Sequence, residues 1–142
     1  MIIIFLQIIK NYKKRSLSFK LVLIFNAMTK SFNSEKIKGD FIHMVFFWLK
    51  NPNNHNEREI FKTLLTEFID TNPQVVGIHI GEPADTNRSI IDNSYNFSLV
   101  VTFPDLATHD AYQIDPSHLE FIEKGKSLWE KVVIYDSIQD KV

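Results

Sequence analysis

A chain of 142 residues with 44% hydrophobic and 13% aromatic side chains can pack one domain and is too apolar to remain disordered. It has no cysteine, which excludes disulfides, thiolate metal sites and a cysteine nucleophile, and fits a reducing, cytoplasmic setting. The formal charge of −1 conceals an acidic body: from Phe41 onward 8 Lys and Arg stand against 15 Asp and Glu, a net of −7, which disfavours nucleic acid as a partner.

The first 40 residues differ from the rest. Residues 1–34 carry Lys10, Lys13, Lys14, Arg15, Lys20 and Lys30 and no acid. Residues 1–9 and 21–27 are apolar, but neither run reaches the ~20 residues that span a bilayer, so a membrane partner is not expected. Residues 1–40 therefore read as a leader or disordered tail. Three readings of residues 1–27 stay open: a mis-assigned start with translation beginning at Met28, an export signal, or a peripheral anchor.

Residues 41–50 predict a strand, with Ile42, Met44, Phe46 and Trp48 on one face and His43, Val45, Phe47 and Leu49 on the other. Both faces are apolar, so both need cover. A helix follows, capped by Asn56 with Glu59 three residues on, and striped by Ile60, Leu64 and Phe68 beside Phe61, Leu65 and Ile69. Asn72-Pro73 ends it. Residues 75–80 predict a second strand, residues 85–93 a polar loop, and residues 95–103 a third strand. Residues 106–112 predict a short helix that Asp115-Pro116 interrupts. A longer helix over 117–131 turns Leu119, Ile122, Leu128 and Trp129 inward, a last strand occupies 132–138, and 139–142 form a tail.

The order βαββαβ is an α+β, ferredoxin-like sheet with its helices on one face. The face bearing Met44, Phe46 and Trp48 is left uncovered, and at ~25 cal/mol per Å² its burial contributes many kcal/mol. A homodimer joined through that face is the expected solution.

Of the five histidines, His55 lies in a polar turn, His79 reads as structural on its strand, and His109 reads as exposed on its helix. No ligand spacing for a metal is visible, so neither a metal nor another cofactor is expected. His43 falls on the helix-facing side of its strand, and His118 follows the helix break. With Tyr112 and Asp136 they make a workable acid–base set, or else a buried histidine satisfied by a carboxylate. The chain has no Gly-x-Ser-x-Gly elbow and no Gly-rich phosphate loop. Its third strand lacks the glycine and basic residue of an RNA-recognition sheet.

The stretch His43-Met44-Val45-Phe46-Phe47-Trp48-Leu49-Lys50 resembles the opening histidine strand of the stress-responsive α/β-barrel (Dabb) domains. Tyr112-Gln113-Ile114-Asp115-Pro116-Ser117-His118 resembles their tyrosine, then proline-x-histidine signature, and residues 129–136 resemble their closing strand. The likeness covers about 41–138 and implies a dimeric α+β barrel of unassigned activity that binds a small apolar molecule. The alternative it implies is a cofactor-independent enzyme like the family's plant polyketide cyclase, with Tyr112 and His118 as the acid–base pair and Asp136 bracing His118. A monooxygenase of the related dimeric barrels is the third reading. The same resemblance makes His43 a pocket histidine and implies a lining of Val45, Phe47, Ile60, Leu64, Leu99, Trp129, Val132 and Ile134. Leu64 stands where the cyclase has a tyrosine, so that hydroxyl is missing.

Overall fold

The computed structural model describes residues 36–140; the readings of residues 1–27, including a start at Met28, lie outside the described residues. The elements run β1 (Phe41–Leu49), α1 (His55–Thr71), β2 (Gly77–Gly81), β3 (Phe97–Phe103), α2 (Leu106–Gln113), α3 (Pro116–Gly125) and β4 (Trp129–Ile138). The four strands form one antiparallel sheet in the order β2-β3-β1-β4. This is the ferredoxin-like arrangement.

Strand β1 alternates strictly, its odd residues buried and its even residues half-buried. The odd face meets the helices. Phe61, Leu65, Phe68 and Ile69 of α1, Tyr112 of α2 and Phe121 of α3 pack there against Val45, Phe47, Leu99 and Val101. Phe68 and Phe121 stack at 5.0 Å between ring centroids, tying α1 to α3.

Several local expectations shift. The cap of α1 is Asn54, not Asn56: its side chain accepts from the Glu57 N–H, and its amide donates to Glu57 Oε1 at 2.9 Å. Two Asn-x-x-Glu boxes overlap in the sequence, and the earlier one captures the helix. Strand β2 starts two residues later than expected, at Gly77, where a β-carbon would meet Thr102 Oγ1 across the ladder.

The helix expected over 117–131 ends at Gly125, and Trp129 opens β4 instead of closing a helix. The cause is local. A β-carbon on Gly125 would lie 2.6 Å from the Trp129 ring, so glycine lets the indole fold back over the helix end, and the Leu128 N–H donates to the Gly125 carbonyl. The face that this helix turns to the core carries Phe121 and Gly125, while Leu119 and Ile122 are exposed.

His79 sits opposite Val100 on edge strand β2, on the sheet face away from the helices, and is exposed. His109, expected outside, is buried instead: it stacks on Phe41 at 4.4 Å and meets Phe103 edge-on.

Candidate functional site

The register of β1 against β4 decides the site. It sets His43 opposite Asp136, Val45 opposite Ile134 and Phe47 opposite Val132, all on the helix side of the sheet. The β4 edge extends past the helices, so Ile134 remains 51% exposed while Val45 is buried. Between this edge and the helices lies a cavity of about 210 Å³. His43, Tyr112, Gln113 and His118 bring polar atoms to a wall otherwise built from apolar side chains.

Most of the expected lining meets there. Val45, Phe47, Leu99, Trp129, Val132 and Ile134 border the cavity with His43, Tyr112 and His118. Ile60 and Leu64 do not. Phe61, Leu65 and Phe68 take the inward stripe of α1, which rotates Ile60 out to 44% exposure and turns Leu64 into a groove shared with Ser117 and Glu120 of α3. Phe68, Phe121 and Ile122 line the cavity without having been expected to. For Phe121 the signal was present, three residues beyond His118 on the same helix.

Asp136 braces a different histidine from the one expected. His43 Nδ1 donates to Asp136 Oδ1 at 2.6 Å, while His118 Nδ1 donates to the Gln113 carbonyl at 3.1 Å. Those bonds hold both protons on Nδ1 and leave Nε2 of each ring as a free acceptor. The Tyr112 ring lies 4.6 Å from His118 and 5.9 Å from His43, between the two imidazoles.

Burial sets the charge states. It pushes the pKa of His43 below the usual histidine value, and the Asp136 hydrogen bond opposes it only in part. Burial lowers His118 likewise, against the pull of the Gln113 carbonyl. The Tyr112 phenol is pushed well above its ordinary range by desolvation, so it stays a proton donor. Two neutral bases thus flank one neutral acid.

A pH dependence of stability follows. In the unfolded chain both histidines titrate near the ordinary ~6.5, whereas the folded chain keeps them neutral to lower pH. Protonation therefore favours the unfolded state. The contribution is complete above ~6.5 and drains away as pH falls through the folded values. Denaturant titrations across this range should show unfolding free energy declining toward acid; a flat profile between pH ~7 and ~5 contradicts burial of these rings.

The fold and site define a ferredoxin-like α+β domain with an apolar cavity that carries two neutral imidazoles and a phenol. The chain belongs to the stress responsive A/B barrel domain family (Dabb), whose sequence pattern matches residues 41–139. It is similar to the olivetolic acid cyclase of Cannabis sativa, with 24% identity over 94 residues, covering 66% of this chain and 91% of that one. A Dabb family protein of ferredoxin-like fold from Mesorhizobium loti superposes with a TM-score of 0.61 at 22% identity, covering 72% of this chain and 99% of that one. A dimeric protein of ferredoxin-like fold from Bacteroides fragilis superposes with a TM-score of 0.57 at 20% identity, covering 72% and 99%. Among the described residues no helix is long and apolar enough to cross a membrane.

Proposed function

We propose that the protein is a homodimeric binding module for a small, mostly apolar molecule with one polar end. The observation that carries this reading is the cavity, where apolar walls surround a cluster of three neutral polar groups. Its ~210 Å³ falls below the ~300–1,000 Å³ of drug-sized ligand sites, which suits a compact ligand. A carbonyl or hydroxyl would find the Tyr112 phenol as donor and the imidazole Nε2 atoms as acceptors.

Dimerisation would use the other sheet face. Phe46 packs there against Tyr95 at 4.9 Å, Lys131 lies 4.0 Å over the Trp48 ring, and a groove of about 190 Å³ between Phe46, Trp48 and Tyr135 offers a seat for a partner's side chain. The dimeric Bacteroides fragilis neighbour supports the assembly.

Binding is tested at the mouth. Ile134→Trp, at an exposed rim position, should close the cavity without overpacking the core. A thermal-shift screen of small ketones and phenols should give hits with the wild-type chain that vanish in this variant. Hits that persist unchanged would place the ligand elsewhere.

A second reading is favoured by the Tyr112–His118 contact: a cofactor-independent enzyme in which His118 takes a proton from an enolisable substrate and Tyr112 polarises its carbonyl. The similarity to the cyclase supports it. Supplied with a poly-β-keto thioester, His118→Ala should lose about 10²–10⁴-fold in turnover while its melting temperature changes little. No turnover by the wild-type chain, with a large melting loss in the variant, would leave binding alone.

A further inference from the structure

His109 has no part in the binding reading, yet it is buried 5.1 Å, centroid to centroid, from the His43 ring. One ligand atom from each of His43, His109 and Asp136 lies within 4.8 Å of the other two. From these positions we propose a divalent metal site of two imidazoles and one carboxylate, built from β1, α2 and β4 and filled by a transition ion such as Zn²⁺.

The donor set suits the ion. Imidazole nitrogen and carboxylate oxygen together favour a borderline divalent cation over Mg²⁺ or Ca²⁺, which prefer oxygen alone. A four-coordinate ion with ligands at about 2.0–2.2 Å holds them about 3.3–3.6 Å apart, so a pair at the 4.8 Å limit must close by about 1.2–1.5 Å and the His43–Asp136 pair, at 2.6 Å, must open by about 0.7–1 Å, within reach of side-chain rotation.

Two of the three groups are already positioned. The His109 ring is held between the Phe41 and Phe103 rings, and His43 is fixed by Asp136. The cation would take the place of the proton that His43 Nδ1 donates to Asp136 at 2.6 Å, and the imidazole would carry that proton on Nε2 instead. Both His109 nitrogens have a polar partner, the exposed Asp110 carboxylate 3.4 Å from Nδ1 and the Gln113 amide 3.0 Å from Nε2, and the ion would displace one of them.

Asp136 is 43% exposed, which gives the ion an entry path and leaves remaining positions to water. Local spacing could not reveal this site, since His43 and Asp136 stand 93 residues apart. The bound ion would pin α2 to the sheet and set a Lewis acid beside the cavity.

The full chain, stripped with chelator, is titrated with Zn²⁺ alone and with Co²⁺ alone. Zn²⁺ should raise the unfolding midpoint, and Co²⁺ should give the visible d–d bands of a nitrogen- and oxygen-ligated ion. His109→Phe keeps the aromatic stack and should bind at least about tenfold more weakly; Asp136→Asn should do the same. His55→Gln, at an exposed position, should bind as the wild type does. Equal affinity in His109→Phe, or no midpoint shift and no bands at millimolar metal, overturns the site. Should His109→Phe fail to fold, His109→Gln carries the same comparison. The Ile134→Trp variant keeps all three ligands and should still bind Zn²⁺, so loss of the cavity reading and loss of this one are separable.

Discussion

Phe46→Asp should convert the proposed homodimer to a monomer at micromolar concentration, with a dissociation constant raised at least about 10³-fold. The side chain lies on the sheet face away from the helices, packed on Tyr95 and within 6.2 Å of the Tyr135 ring. In a dimer an aspartate there is desolvated against the partner's apolar sheet, and the nearby Lys131 ammonium is engaged over the Trp48 ring, so the burial costs several kcal/mol. The monomer escapes that cost, because Phe46 is only half-buried within one subunit. Sedimentation equilibrium reads the association and circular dichroism reads the fold. A variant that stays dimeric with native dichroism removes this face from the interface.

Phe61→Ala should lower unfolding free energy by about 3–5 kcal/mol. Phe61 has no exposed surface and sits where α1 meets the sheet, its ring 5.0 Å from Phe47, 5.3 Å from Phe97 and 5.9 Å from Trp129. Truncation removes the transfer free energy of the ring and leaves a hole that three large aromatics cannot fill without leaving their rotamers. Phe47 and Trp129 are also cavity walls, so the loss reaches the site. Urea titration at neutral pH measures it, and a loss below about 1 kcal/mol would mean the core collapses freely around the gap.

The alternation of β1, the Asn-x-x-Glu boxes before α1 and the Asp115-Pro116 break between α2 and α3 are local signals, and each fell within a few residues of the element it marks. The misplaced elements had competing local readings. The apolar run after Ser117 reads as one helix until Gly125 lets Trp129 fold back, a contact made across the turn that periodicity does not register. His109 reads as exposed in the sequence because eight residues of α2 hold too few turns to define an inward stripe; Phe41 and Phe103, distant in sequence, define it instead.

Composition and binary pattern alone determined that this chain builds a two-faced apolar sheet, covered by its own helices on one side, with His43 on the helix-facing side of its strand and His118 just after the helix break. Only the tertiary structure decided which groups touch. Asp136 lies on the same strand face as Val132 and Ile134, and that much is a matter of alternation. That it meets His43, and leaves His118 to a backbone carbonyl, is a matter of strand register. Register is settled by the packing of the whole sheet, because a slip of one residue would turn every inward side chain of β4 to the other face.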